Sequence, residues 1–296
     1  KQKTAYEIMP SLVGSEMCIR DRFYDVEATL FDVWDNRQWE AFRLYFGELG
    51  ERLEEEVELD PAMAQRVRGL LRAIGEADDF DELYRPLGFR YVVEPSGSLR
   101  RFEDGSFDLV FSFNVLEHVK EDILPEFIRD MGRILRPGGY SIHQIDLGDH
   151  LSYYDPAVSV KNYLRYSDAA WGRWFENEVQ YFNRVQRPEW LHLFENAGLL
   201  LVEEQLRTED IGTMKVDQKY GHLGRQDLEC TALTVVHRKS ATLDPPQDQA
   251  WPARCHHPEP LRSPTHLARS FSSVIACRST SKSAWRKVPR SNSARA

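Results

Sequence analysis

The sequence predicts an α/β domain built on a doubly wound, mostly parallel sheet. Short apolar runs alternate with longer segments that carry apolar residues at helical spacing, the pattern of repeated strand–helix units. The run 107–113 is predominantly apolar, which is typical of a parallel strand covered on both faces. Pro137-Gly138-Gly139 then separates an amphipathic segment from the next apolar run, as a strand–helix–strand unit requires.

The first half of this pattern contains two strands and two helices. A short apolar run predicts a strand that is closed by Asp32, and a second run predicts another strand further on. Large apolar residues at helical spacing predict the two helices, and Pro61 suits the first turn of the second one. In chain order the predicted elements are a strand at 26–31, a helix at 36–53, a helix at 61–77 and a strand at 89–93.

The second half continues the alternation. The apolar runs 107–113 and 140–145 are expected to be adjacent, parallel and central, because one helix, 123–135, connects them. The aromatic and polar segment 150–187 is too long for an ordinary connection, which predicts an insert or lid. A helix at 188–197 and strands at 199–205 and 230–237 complete the prediction.

The bulk composition excludes several classes of function. The chain has 296 residues, 42% of them hydrophobic, and a formal net charge of -9, which suits a soluble protein and argues against a nucleic-acid-binding surface. No run reaches the roughly 18 apolar residues of a membrane span, so no membrane partner is expected. The four cysteines have neither zinc-site nor disulfide spacing, which favours a reducing, cytoplasmic setting. The oligomeric state stays open.

Both ends of the chain differ from its middle. Residues 1–22 include Ser11-Leu-Val-Gly-Ser-Glu-Met-Cys-Ile-Arg-Asp-Arg22, which resembles translated sequencing-adapter read-through, so we expect a non-native or disordered leader on a truncated domain. The alternative is a genuine first strand at 11–13. From residue 241 onward nine Lys or Arg stand against three Asp or Glu among Ser and Pro, which predicts a disordered basic tail over 240–296 that packs against nothing. The domain itself is expected over 23–239.

The most specific pattern lies between residues 102 and 150. An acidic turn precedes the central strand, Asn114-Val-Leu-Glu-His-Val119 follows it, and Leu135-Arg-Pro-Gly-Gly-Tyr140 ends the next helix. This sequence pattern resembles the second half of a class I, Rossmann-like S-adenosylmethionine-dependent methyltransferase, similar to the type 11 methyltransferases. The resemblance covers about residues 23–238 and implies the strand order of that family, with an antiparallel last strand.

The resemblance implies that S-adenosylmethionine is the cofactor. Ligands of open parallel sheets bind at the carboxyl ends of the strands. Asp32 is expected to accept hydrogen bonds from the ribose diol, although an Asp that caps the next helix explains it equally well. Ser98 and Leu99 are implied to lie against the adenine ring, and Asn114 beside the methionine moiety.

The catalytic residues are expected in the run His143-Gln-Ile-Asp-Leu-Gly-Asp-His150. Asp146, Asp149 and His150 are predicted to line the mouth of the site beside the transferable methyl group, with His150 as the general base. A metal site at the two histidines is not predicted, because neither a helical i, i+4 pair nor a cysteine supports it. His118 is interpreted either as an acid–base group or as a structural anchor of its motif.

One part of the expected cofactor site is missing from the sequence. A glycine-rich loop should precede Asp32 by roughly 20 residues, and Gly14 alone stands there. The leading interpretation is methyl transfer to an unidentified small-molecule acceptor, impaired in this chain by the lost loop. The alternative is a non-catalytic binding module of the same fold. A nicotinamide-dependent oxidoreductase ranks last, because the chain lacks both Gly-x-Gly-x-x-Gly and Tyr-x-x-x-Lys.

Overall fold

A computed structural model describes residues 26–45, 48, 61–176, 181–240 and 273–279. Residues 39–45 are helical, and four 3₁₀ turns occur among the described residues, at Leu116–His118, His150–Tyr153, Asn162–Arg165 and Gln218–Tyr220. The longer described elements are β1 (Val26–Asp32), α1 (Pro61–Glu76), α2 (Phe80–Leu87), β2 (Phe89–Val93), β3 (Phe107–Phe113), α3 (Leu124–Ile134), β4 (Leu135–Asp146), α4 (Asp168–Trp174), α5 (Arg187–Asn196), β5 (Leu199–Thr208), α6 (Arg225–Glu229), β6 (Cys230–Lys239) and β7 (Ser273–Ser279).

The chain divides into two compact units. The first holds the described residues within 1–30, 37–91 and 277–296, and the second holds 31–36 and 92–276. In the first unit, α2 begins after Asp79, whose side chain accepts a hydrogen bond from a backbone amide of the first turn. This helix, which the sequence pattern did not predict, brings Phe80 against Trp39 and Phe42 at ring-centroid distances of 5.0 and 5.1 Å.

The second unit contains the whole of β3, β4, β5 and β6 and parts of the other three strands. The strand order of the sheet is β2-β1-β7-β3-β4-β6-β5. β3 and β4 are parallel and interior, which confirms that prediction. β6 pairs antiparallel with both β4 and β5, as the family order implied. The mixed sheet with its helices confirms the predicted α/β fold class.

The start of β4 differs from the prediction. The strand begins at Leu135, and its pairing with β3 jumps from Phe107↔Leu135 to Leu109↔Tyr140. The Pro-Gly-Gly segment is therefore an irregularity inside the strand. Gly138 has a φ of 78°, and a Cβ on Gly139 would lie 3.0 Å from the carbonyl oxygen of Asp108. Glycine is needed at both positions because side chains rarely tolerate either condition.

β7 lies in the part of the chain that was predicted to be disordered. Its residues 274–277 are each at most 4% exposed, and Val274 and Ala276 belong to the main hydrophobic core of the second unit. The prediction that residues 241–296 pack against nothing is therefore wrong for Ser273–Ser279. The physical reason is local, because the four consecutive apolar residues Val-Ile-Ala-Cys cover both faces of an interior strand. The predicted leader and the rest of the tail lie outside the described residues.

The core of the second unit forms where α3 and α5 cover the sheet. Ile128 and Met131 of α3 and Trp190 and Phe194 of α5 are all fully buried there. Among the helices that the structure describes, none is both long enough and apolar enough to cross a membrane.

Candidate active site

The carboxyl ends of β3 and β4 meet at one edge of the sheet. The backbone amide of Asn114 donates to the carbonyl of Gln144 at 2.9 Å, so the residue after β3 lies beside the end of β4. Asn114 has a φ of 52°, a left-handed conformation that is costly for a residue with a side chain. Its Oδ1 atom is buried and has no hydrogen-bond partner among the described residues. Both features are typical of functional positions.

The 3₁₀ turn Leu116–His118 is held by the insert. The Nδ2 atom of Asn183 donates to the carbonyls of Leu116 and Val119 at 2.8 and 2.9 Å. The backbone amide of Asn183 also donates to the carbonyl of Glu117 at 2.6 Å. The exit of β3 and the second half of the insert therefore form one continuous structure.

Glu117 is a buried acid in this turn. Its side chain is 1% exposed, and neither carboxylate oxygen accepts a hydrogen bond of normal geometry from a described residue. Burial raises the pKa of Glu117 well above its usual value, and the negative charge of Asp146 raises it further. The nearby backbone amides of Glu117 and Asp146 oppose this shift only in part. The carboxyl group is therefore protonated over a wider pH range than an exposed glutamate.

Two uncharged histidines lie against each other beside this turn. The centroids of His118 and His150 are 5.2 Å apart, and Nδ1 of His118 donates to the carbonyl of Tyr181 at 2.8 Å. Burial lowers the pKa of His118, against the opposing effects of that carbonyl and of Asp146. Burial, followed by the charge of His118, lowers the pKa of His150 to about 4, while Asp146 opposes. Both imidazoles are consequently neutral at pH 7.

The structure brings the predicted pair Asp146 and His150 together. Nε2 of His150 is 3.9 Å from Oδ2 of Asp146. The hydroxyl of Tyr153 donates to Oδ2 of Asp146, the Gly148 amide donates to Oδ1 at 2.8 Å, and the ring of Tyr153 stacks on His150 at 5.5 Å. Phe182 covers His150 at a centroid distance of 4.6 Å. The carboxylate and the imidazole are therefore held in a defined arrangement.

Asp149 lies at the start of the 3₁₀ turn His150–Tyr153. Its side chain is fully buried, Oδ1 accepts from the amide of Leu151 at 2.9 Å, and Oδ2 accepts from Asn162 at 3.3 Å. Burial raises its pKa, and these hydrogen bonds oppose the shift. Asp149 thus caps the 3₁₀ turn His150–Tyr153, and its place beside the transferable methyl group stays a prediction.

The predicted cofactor residues on the other strand ends are placed as follows. Asp32 is 1% exposed, its Oδ1 accepts from the amide of Val33 at 2.8 Å, and its carbonyl accepts from the amide of Glu94, which joins the ends of β1 and β2. Oγ of Ser98 accepts from the amide of Arg100 at 3.2 Å. Leu99 is 1% exposed within the main core, and its contact with adenine stays a prediction.

His143, one of the two histidines considered for a metal site, lies inside the sheet. Its Nδ1 and Nε2 atoms are each 2.7 Å from a serine hydroxyl, Ser112 and Ser141 respectively. Across the part of the chain that the structure describes, no group of three or more His, Cys, Asp or Glu side chains is placed to hold a metal ion.

The sequence interpretation missed Glu117 and Tyr153. Both lie beside predicted site residues, and the signal for Glu117 was present, because it is the one acid in the mostly apolar run Val115-Leu-Glu-His-Val119. The signal for Tyr153 was not specific, because neighbouring aromatic residues such as Tyr154 are equally compatible with that position.

Comparison with known proteins gives one family match. Residues 43–143, about a third of the chain, match the family model described as a methyltransferase domain. No curated protein matches the sequence. For this part of the chain, the match confirms the recognition of a class I methyltransferase domain and of S-adenosylmethionine as its cofactor.

Solved structures with a similar arrangement are distant. An S-adenosylmethionine-dependent methyltransferase from Methanosarcina mazei is 15% identical over 62% of this chain and 81% of its own, with a TM-score of 0.33. One from Mesorhizobium loti is 18% identical over 66% and 87%, with a TM-score of 0.35. The 1,6-didemethyltoxoflavin-N1-methyltransferase of Burkholderia thailandensis is 16% identical over 81% and 92%, with a TM-score of 0.34. These similarities are too weak to assign any residue.

Proposed function

We propose that this chain, which carries a methyltransferase domain over residues 43–143, transfers the methyl group of S-adenosylmethionine to a small-molecule acceptor. The reaction takes place where β3 and β4 end. The observation that carries this proposal is the buried, uncharged imidazole of His150, which is held beside the carboxylate of Asp146 at that edge. A neutral imidazole next to a carboxylate is the arrangement of a general base.

The cofactor would be held by strand-end residues. Asp32 and Ser98 would contact its ribose and adenine, and the unpartnered Oδ1 of Asn114 suits the ammonium of its methionine part. When bound, the cofactor supplies a methyl group that is already activated by its positive sulfur. The chain must therefore align the acceptor and remove a proton, and it needs no further activation of the methyl group.

The proton is removed by His150 in this proposal. Because its pKa is lowered, the imidazole is free to accept a proton from an oxygen or nitrogen of the acceptor at neutral pH. Asp146 then stabilises the imidazolium from 3.9 Å, and Tyr153 keeps the carboxylate in place. A low pKa weakens the base but also leaves all of it unprotonated at pH 7.

Substitution of His150 tests the assignment. His150→Ala is expected to lower kcat about 100-fold or more, within the range of lost general-base catalysis, while the Kd of S-adenosylhomocysteine changes less than twofold. In the unsubstituted chain, kcat/KM should show no loss from protonation of His150 above pH 6, because burial lowers the pKa of His150 to about 4. Radiolabelled methyl transfer and calorimetric binding measure the two quantities.

The exposed His222 provides the matched control, and His222→Ala should leave both quantities unchanged. If His150→Ala turned over normally, the base assignment would be wrong. If the chain bound S-adenosylhomocysteine but methylated no acceptor, the non-catalytic binding module would be the correct interpretation.

A further inference from the structure

Glu117, in the turn after β3, and Asn183, in the insert bonded to that turn, carry buried oxygens that are incompletely hydrogen-bonded. Among the described residues, neither carboxylate oxygen of Glu117 nor Oδ1 of Asn183 has a hydrogen-bond partner of normal geometry, although the backbone amides of Glu117 and Asp146 lower the pKa of the carboxyl. More than nine tenths of buried polar groups in native proteins are paired, so such atoms call for an explanation. Oδ1 of Asn183 is an acceptor, and both Glu117 oxygens are acceptors once the carboxyl is ionised, so a group that binds the ionised form must be a donor with several N–H or O–H bonds.

These oxygens belong to the acceptor side of the proposed site. Asn183 is bonded directly to the turn that contains Glu117. Oε1 of Glu117 is 4.0 Å from Nε2 of His118, whose ring lies 5.2 Å from that of His150. The unsatisfied oxygens and the proposed base are therefore linked through a single imidazole.

The charge of this region comes from Asp146. Burial and that charge raise the pKa of Glu117, which becomes a second negative group only when it is ionised, and the two histidines beside them are uncharged at pH 7. Lys161, which interacts electrostatically with Asp146, is buried, and its Nζ lies 2.7 to 3.1 Å from four other acceptors. Arg184 is likewise bonded to the carbonyl of Tyr166 and paired with an aspartate. A ligand that complements the site has positive charge as well as donors.

We propose that Glu117 binds a protonated amine of the methyl acceptor, so that the substrates are cationic amines. The inference rests on the proposed function, because it assigns the molecule that this site binds. The methionine ammonium of the cofactor has the same chemistry. We assign Glu117 to the acceptor because its carboxylate lies on the side of His118 and His150, whereas Asn114, at the strand end itself, is the residue assigned to the cofactor.

The test uses a panel of small primary amines, each matched with the alcohol of the same skeleton, titrated with and without S-adenosylhomocysteine. Amines are expected to bind at least tenfold more tightly than their alcohols. Glu117→Gln should weaken amine binding at least tenfold and change the Kd of S-adenosylhomocysteine less than twofold. The exposed control Glu126→Gln should change neither. Equal binding of amines and alcohols overturns the proposal, as does a Glu117→Gln variant that loses affinity for S-adenosylhomocysteine instead.

A second measurement requires no variant. Because burial raises the pKa of Glu117, binding of a cation, which favours the ionised carboxyl, should be coupled to loss of its proton. Calorimetry of amine binding at pH 6 in buffers of different ionisation enthalpy should therefore show net proton release. Binding without proton release overturns the proposal. Methyl transfer to alcohols but not to amines would refute this inference alone, whereas amine binding without any transfer would refute the proposed function alone.

Discussion

Acidification is expected to unfold this chain, because two buried histidines resist protonation in the folded state. Burial, followed by the charge of His237, lowers the pKa of His143 to about 3, and burial lowers that of His237 to about 4. Both rings pack on Phe194, at centroid distances of 5.4 and 4.3 Å. In the unfolded chain the same groups titrate near 6.5.

The direction of the effect follows from proton linkage. Between pH 6.5 and the lowered pKa values the unfolded chain binds more protons than the folded one, so stability falls as the pH falls. Each histidine contributes a loss of about 1.4 kcal/mol per pH unit. Together they remove about 5 kcal/mol by two pH units below 6.5, which is comparable to the whole stability of many domains. His118 and His150 act in the same direction.

His237→Phe separates this effect from general acid denaturation. Both ring nitrogens of His237 are buried and have no partner among the described residues, so an apolar ring is expected to keep the packing on Phe194 without stability loss at pH 7.5. The slope of unfolding free energy against pH between 6 and 4.5 should decrease by about 1.4 kcal/mol per pH unit. Urea titrations at several pH values measure it. The exposed control His222→Phe should leave this slope unchanged. If the slope of His237→Phe were also unchanged, protonation of His237 would not be a cause of the acid sensitivity.

Val274→Asp is expected to lower the free energy of unfolding by several kcal/mol. Val274 is 3% exposed in β7, an interior strand, where an aspartate would be a buried charge without a partner. The measurement is thermal and urea unfolding at pH 7.5. Arg278→Ser, at an exposed position of the same strand, is the control and should change stability by less than about 0.5 kcal/mol. Wild-type stability in Val274→Asp would mean that Ser273–Ser279 does not belong to the sheet, as the composition of the tail first indicated.

Most of the sheet could be predicted because each of its strands is a short apolar run of contiguous residues. Phe107–Phe113 is predominantly apolar, and the single helix that follows it connects to a parallel neighbour, so the adjacency of β3 and β4 follows from chain order. The motif after β3 likewise carried the resemblance to methyltransferases, whose domain model matches residues 43–143. These are properties of contiguous residues, which a sequence displays directly.

The remaining features depended on residues that are distant in the chain. β7 lies between β1 and β3 in the sheet. The local sequence of a strand does not show which neighbours it pairs with, so this position could not be predicted. Asp149 and Asp146 look equivalent in the sequence, yet an amide and Asn162 engage the first as a cap, while the second remains beside His150. The burial of the Glu117 carboxyl depends on the packing of the insert against its turn, which the sequence does not show. Burial and pairing are properties of packing, so only the tertiary structure could decide them.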